Sequence, residues 1–388
     1  MYREIIYQQI KERIEKIHPE LIGISKYIYE NPELGHEEWK ASECLCKALE
    51  KYGFTVKKGV ADLPTAFVAE YSTGPGPVVA FIAEYDALPG MGHGCGHNVI
   101  AASAVGAGAA LLPFMKEIKG TIQVIGTPAE DSTSDKIDMI AKGIFDKVDF
   151  SFQCHPNDRT MSDARFKAIS KLEFHLHGLA SHASRMPEKG ISACDAAVLG
   201  YNGVEMLREH VRDDVRIHGI ITNGGSSPNT VPDFSSVEYG VRANDSEYLE
   251  EVVEKVCNCF RGAALATGAR LEIIRGKTVE SNLRVPSLNE RVMEHAKEAG
   301  AKQILPQETM ASTDFSNLTR IMPACRLDIA FAPVGTSTHS PAFTAAGDQP
   351  MAHESIAVSS YAMAAVAYDL FTDLDFREKV KKEFEELK

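Results

Sequence analysis

Three apolar runs of strand length, each followed at once by residues that can bind a metal or move a proton, constrain the fold of this chain most. They are Val78-Val79-Ala80-Phe81-Ile82-Ala83, Thr121-Ile122-Gln123-Val124-Ile125-Gly126 and Val148-Asp149-Phe150-Ser151-Phe152. Glu84 and Asp86 follow the first run, Glu130 and Asp131 the second, and His155 the third. An Ala/Gly-rich stretch from 99 to 113 predicts a helix whose small side chains permit close packing. Other helices are expected over 4 to 29, where Ile5, Ile6, Ile10, Ile14, Ile17 and Leu21 recur at helical spacing, and over 38 to 52. Strands alternating with helices predict an α/β fold with a mixed, mainly parallel sheet flanked by helices. The strands of such a sheet bring their carboxyl ends to one edge. A late run, Leu327-Asp328-Ile329-Ala330-Phe331, with His339 in the loop beyond it, makes a fourth segment aimed there.

Residues 168 to 277 follow another rhythm. Strand (Ile169 to His177), helix (about 190 to 211), strand (215 to 222), strand (235 to 242), helix (246 to 266) and strand (270 to 275) give the order βαββαβ. That is the ferredoxin-like arrangement, which closes its own small antiparallel sheet. At 388 residues the chain exceeds the roughly 250 to 300 at which a single core stops growing, so two domains are expected. Residues 1–167 and 278–388 form one, and 168–277 are inserted into it.

The formal charge of -13 offers no basic field to a phosphate backbone, which argues against a nucleic-acid partner. No apolar run reaches the ~18 residues of a membrane span, and the first residues lack the apolar core of a secretory signal. A cytoplasmic protein without membrane attachment is expected. The eight cysteines lack disulfide-framework spacing, and thiols, mostly buried, are expected.

Cys95 and His97 lie in a loop with glycines at 90, 92, 94 and 96, which can turn tightly and direct both side chains inward. Thiolate and imidazole suit zinc and its neighbours. Alone, the pair reads equally as a buried thiol beside a helix-capping histidine. Asp131, His155 and His339, each beyond a strand-like run, would meet it at the same sheet edge. Five donors exceed the four of a closed tetrahedral site, so two divalent ions sharing a bridging group are expected. Glu130, adjoining Asp131, is then a free carboxylate able to take a proton from water and hand it to a leaving amine.

The runs Asn31-Pro32-Glu33-Leu34-Gly35, Glu84-Tyr85-Asp86-Ala87-Leu88-Pro89, Gly94-Cys95-Gly96-His97-Asn98 and Thr127-Pro128-Ala129-Glu130 resemble the aminoacylase and carboxypeptidase family of metallopeptidases. So do Ser181-His182-Ala183 and Asn229-Thr230-Val231-Pro232-Asp233. The likeness is to the amidohydrolase branch with auxin-conjugate hydrolases, aminobenzoyl-glutamate hydrolase and β-alanyl-dipeptide hydrolases. It implies a zinc-exopeptidase-like catalytic domain whose inserted domain is a lid and dimer interface, giving a homodimer or a dimer of dimers. It implies metal ligation by Cys95, His97, Asp131, His155 and His339, with Glu130 as general base. It further implies oxyanion stabilisation by His182, in its own site or in a partner's, and substrate binding by Asn229 and Arg242. A guanidinium fork matches a free carboxylate bidentately.

Two positions depart from the family pattern. Asp131 stands where Glu is usual, which shortens that ligand by one methylene. Glu84 stands where the broader family places a metal-binding histidine, so Glu84 and Asp86 are expected behind the ligands, with Asp86 orienting one of them. The expected reaction is hydrolysis of an amide in an N-acyl amino acid or dipeptide-like substrate with a free carboxylate, using two zinc or manganese ions, or cobalt or nickel. Two alternatives remain: Cys95 as a nucleophile with His97 or His155 as its base, or a non-catalytic ligand-binding relative.

Overall fold

The computed structural model describes residues 2–306 and 309–388. Two compact units divide the chain: Met1–Ala164 with Leu283–Thr309 and Thr313–Lys388, and Arg165–Asn282 with Met310–Ser312.

The first unit is built on a six-stranded sheet, in the order Thr55–Lys58, Phe67–Ser72, Thr121–Gly126, Val78–Ala83, Phe150–Asn157 and Ala324–Ala330. The last four strands run parallel, and the first two join them antiparallel at one edge. Along Val78–Ala83 successive side chains point to opposite faces. Val79, Phe81 and Ala83 join the core formed with helices Tyr2–Glu30, His97–Leu111 and Pro350–Thr372, while Ala80 and Ile82 pack with Met139, Phe145, Phe315 and Leu318. Burial on both faces explains why these runs are continuously apolar rather than alternating.

Helix His97–Leu111 is buried at every residue. Its small side chains allow that: a Cβ on Gly106 would come within 2.3 Å of Ser360 Oγ and 2.7 Å of Leu21 Cδ1. The stripe on Tyr2–Glu30 is buried through Ile6, Ile10, Ile14, Ile17 and Leu21, whereas Ile5 faces solvent. Two details depart from the sequence expectation. The edge strands Thr55–Lys58 and Phe67–Ser72 carry exposed residues that blur their periodicity. The third strand runs to Asn157, so His155 lies within it rather than beyond it.

The second unit has a four-stranded antiparallel sheet, in the order Arg270–Val279, Ala168–His177, Phe234–Ala243 and Arg216–Asn223. Helices Ala193–Leu207 and Ser246–Thr267 cover one face and enclose Phe174, Tyr239, Val241, Val256 and Phe260. Ser192 and Asp245 cap these helices, their side chains accepting from Asp195 N–H at 3.1 Å and Tyr248 N–H at 2.7 Å. The order βαββαβ is the predicted one. All eight cysteines are free thiols, five of them buried. Among the described residues no helix is long and apolar enough to cross a membrane.

Candidate metal centre

The glycine loop delivers its two donors through one backbone conformation. Gly96 sits at φ +73° as the residue before helix His97–Leu111, so His97 opens that helix with Cys95 two positions upstream. A side chain there would be strained and would meet Pro156 at 2.7 Å. Ala129 and His339 adopt the same left-handed region without being glycine, at φ +54° and +56°. Such residues cost on the order of 1–3 kcal/mol each and gather where geometry matters more than stability. Buried Glu38 holds the Ala129 turn, its Oε1 accepting from Ala129 N–H at 2.9 Å and its Oε2 from Thr65 Oγ1 at 2.8 Å.

The five proposed ligands, which span residues 95 to 339, come together in the first unit. Cys95 Sγ lies 2.9 Å from His339 Nε2 and 3.3 Å from Asp131 Oδ1. His97 Nε2 is 3.9 Å from Asp131 Oδ2. The His155 ring stands nearly perpendicular to that of His97, with centroids 6.0 Å apart. Asp86 secures two of them: His97 Nδ1 lies 3.0 Å from its Oδ1, and its Oδ2 accepts from Asp131 N–H at 3.1 Å. That contact places the His97 proton on Nδ1 and turns the Nε2 lone pair inward.

Three buried atoms in this cluster have no hydrogen-bond partner: Glu84 Oε2, His97 Nε2 and Asp131 Oδ2. Buried polar atoms rarely stay unpaired, and these three are all acceptors once Asp86 holds the His97 proton. A cation is what they have in common. Donor atoms of Cys95, His97 and Asp131, and likewise of Glu84, His97 and His155, all lie within 4.8 Å of one another. Thiolate, imidazole and carboxylate in this density fit a divalent transition metal.

The electrostatics agree. Burial alone would disfavour a charged His97, but Asp86, Cys95 and Asp131 outweigh it and raise its pKa well above the usual range, so that without a metal a second proton takes the place at Nε2 that a cation would occupy. The pocket thus draws positive charge. Burial, with help from Arg326, pushes His155 well below the usual histidine range, which leaves it neutral, the form that ligates. Burial lifts the Cys95 thiol to about 12, so it is no free thiolate nucleophile, whereas a coordinating cation would remove its proton outright.

Glu130 lies beside the cluster, its Oε1 accepting from Thr313 Oγ1 at 2.9 Å. Enclosure of its carboxyl group, then the charges of Glu84 and Asp314, push it well above the usual carboxylate range. Glu84 is fully buried, and its Oε1 takes Lys136 Nζ at 2.6 Å and Gln153 Nε2 at 2.7 Å. Lys136, Gln153, Asp314 and Glu38 went unnoticed in the sequence. None belongs to a motif, and a lysine opening a short helix ordinarily faces water.

His182, Asn229 and Arg242 all belong to the second unit. His182 and Asn229 are neighbours, since Ala183 N–H donates to Asn229 O at 3.0 Å and His182 bridges Thr230. His182 Nδ1 accepts from Ser184 N–H at 3.3 Å, which assigns the ring proton to Nε2. Arg242 lies on the sheet face opposite the helices, and its Nη1 donates to Ser312 Oγ at 3.1 Å. It sits eight residues along its strand from Phe234, the end nearer Asn229, a span of roughly 26 Å. The structure therefore does not group Arg242 with the other two.

Comparison with known proteins matches the same pattern. Residues 80–367 fit the model of "Peptidase family M20/M25/M40". The chain is 34% identical over 402 residues to the mouse (Mus musculus) Xaa-Arg dipeptidase, covering 98% of this chain and 92% of that protein. It is 28% identical over 459 residues to a p-aminobenzoyl-glutamate hydrolase chain of Escherichia coli K12, covering 98% and 95%. A Bacillus subtilis structure described as a dinuclear metal binding peptidase of this family superposes with a TM-score of 0.71 at 22% identity, over 91% of this chain and 99% of that one. This likeness shows a shared fold. With a matching family model over most of its length and an extended relative above 30% identity, the chain belongs to peptidase family M20/M25/M40 and is a hydrolase of the metallopeptidase and amidohydrolase kind.

Proposed function

We propose that this chain hydrolyses the amide bond of an N-acyl amino acid or dipeptide-like substrate bearing a free carboxylate, with two divalent ions held by Cys95, His97, Asp131, His155 and His339. The observation that carries this reading is the trio of buried, unpaired acceptors, Glu84 Oε2, His97 Nε2 and Asp131 Oδ2, beside the carboxyl group of Glu130, which is held by Thr313 rather than counted among the ligands. Ions bound there supply a water of lowered pKa and polarise the carbonyl under attack. Glu130 takes the proton of the attacking water and delivers it to the leaving amine. The Nε2–H of His182 is a donor for the oxyanion, and the Arg242 fork grips the free carboxylate. The names of the relatives, a dipeptidase and an aminobenzoyl-glutamate hydrolase, support a substrate of this class.

The test combines metal and substrate. Stripping with chelator should abolish turnover of N-acyl amino acids and dipeptides, and added Zn, Mn, Co or Ni should restore it. C-terminal amides of the same substrates should be cleaved at least about tenfold more slowly, a difference that vanishes in Arg242→Ala, since a lost charged hydrogen bond costs about 1.5–3 kcal/mol. Equal cleavage of acids and amides by the parent removes the role of Arg242. The contact of Cys95 with His339 at 2.9 Å favours one rival, a thiol nucleophile, with His339 in place of the expected His97 or His155 as its base. That enzyme would ignore chelators and be silenced by iodoacetamide. Inactivity of the metal-loaded protein on every amide would favour a ligand-binding relative.

Arg242 lies too far from His182 and Asn229 to grip the same small substrate within one copy. We therefore propose a homodimer in which His182 and Asn229 serve the partner's site. The edge strand Arg216–Asn223 exposes the adjacent Ile220 at 63% and Ile221 at 40%, apolar side chains on an unpaired sheet edge suited to a second copy. Ile220→Lys should convert the dimer to monomer in sedimentation velocity and lower kcat with it. A dimer of unchanged stability would exclude that edge.

A further inference from the structure

Beside the proposed ligands lies a second cluster of carboxylates. One oxygen each of Glu84, Glu130 and Asp314 lie within 4.8 Å of one another, a density that would also suit a divalent ion. That place is already filled. Lys136 is wholly buried, and its Nζ lies 2.6 Å from Glu84 Oε1 and 2.6 Å from Asp314 Oδ1. The backbone N–H of Lys136 donates to Asp314 Oδ2 at 3.2 Å, so the start of helix Lys136–Ala141 is anchored to the carboxylate that its own side chain pairs with. Gln153 Nε2 donates to the same Glu84 oxygen at 2.7 Å. Two donors therefore converge on Glu84 Oε1 while Oε2, buried and unpaired, stands 3.6 Å from His97 Nε2.

Donors at 2.0–2.2 Å from a tetrahedral ion lie about 3.3–3.6 Å from each other, and the Glu84–His97 separation falls at that edge length. Glu84 thus has two oxygens with different partners: one tied to an internal ammonium, the other facing the proposed metal ligands. An ammonium on a tethered chain differs from a metal in one respect that matters here, since it cannot be chelated away or exchanged.

Resting on the metal reading above, we infer that Lys136 is a positioning residue, a resident cation that occupies the place among Glu84, Glu130 and Asp314. It fixes Glu84 with its free oxygen toward His97, and it denies the carboxylates around Glu130 to a further divalent ion. Glu130 is left as a carboxylate without a metal, as a proton carrier must be. Burying a charged lysine is costly unless it is fully paired, and pairing it with two carboxylates makes the device rigid as well as soluble in the interior.

Metal-stripped full-length protein titrated with Mn²⁺ by calorimetry, with bound metal counted by mass spectrometry, tests the inference without an activity assay. Lys136→Ala opens the space and removes the charge, and it should bind one more Mn²⁺ per chain than the parent. Lys136→Arg keeps the charge and should match the parent count. Glu84→Gln keeps the contacts of Oε1 and should bind one of the parent's ions about tenfold more weakly, the usual cost of disturbing the surroundings of a ligand. A merely structural lysine would lower the melting temperature of Lys136→Ala and leave the count unchanged, and that result overturns the inference. If Lys136→Ala does not fold, parent-like Mn²⁺ affinity in Glu84→Gln overturns it instead. A parent chain that binds no Mn²⁺ sinks the metal reading itself.

Discussion

Glu130→Gln should lower kcat by about 10²- to 10⁴-fold, the usual contribution of a positioned general acid–base, with little change in KM, metal content or melting temperature. The carboxamide keeps an oxygen for Thr313 Oγ1, now 2.9 Å from Glu130 Oε1, so the local hydrogen bond survives while the proton carrier is lost. The pH profile adds a second signature. Enclosure, Glu84 and Asp314 raise the Glu130 pKa, so the ionised base is gained as pH rises and lost as it falls. Bound divalent ions pull the other way, because nearby positive charge favours the carboxylate. The acid limb of kcat/KM should therefore shift with metal identity and should disappear in Glu130→Gln. Parent-like turnover in this variant would end the assignment of Glu130 as base.

The largest effect on stability is expected far from the chemistry. Asp369→Ala should cost about 1–3 kcal/mol, because Tyr7, Arg291 and His295 lose the buried oxygens they share, while Arg291 keeps Glu294 and His295 keeps Glu298. The Asp369 side chain is fully buried in helix Pro350–Thr372, its Oδ2 held by Arg291 Nη1 at 2.7 Å and His295 Nε2 at 3.0 Å and its Oδ1 by the hydroxyl of Tyr7. Three helices are thereby pinned to one carboxylate. Burial opposes its charge, but His295, Tyr7 and Arg291 prevail and lower its pKa. The sign follows directly. A carboxylate depressed in the folded state contributes its stability above the unfolded value of about 3.9 and loses it as pH falls through the folded one. Acid should release this network only below about pH 4, and the parent should lose more stability there than Asp369→Ala. Urea unfolding at pH 7 and pH 3 measures both differences. A loss under about 1 kcal/mol, the range of a solvated pair, would mean that water reaches this site.

Much of the fold could be read along the chain. Val78–Ala83 and Thr121–Gly126 form where the apolar runs lie, and the six elements between 168 and 279 follow in the expected order, because period and turn residues are local properties. The antiparallel edge, Thr55–Lys58 and Phe67–Ser72, escaped notice because half-exposed strands carry a weak pattern. At the site, Cys95, His97, Asp131, His155 and His339 were each visible as metal-ligand types beside a strand or glycine loop. Glu38, Gln153 and Asp314 were not, since an isolated polar residue looks the same in sequence whether it is solvated or buried.

From the sequence alone follow the α/β class with its mainly parallel sheet, the βαββαβ order of residues 168–277 and the residue types that could donate to a metal. Together these depend on side-chain periodicity and on the rule that parallel strands share a carboxyl edge. Only the tertiary structure decided which acceptors are left without partners, that Lys136 stands as a cation among Glu84, Asp314 and Glu130, and that Arg242 is remote from His182 within its unit. These are matters of burial and pairing between residues as far apart as 84 and 314. The free energy of a buried charge depends on what surrounds it in space, and no local pattern encodes that surrounding.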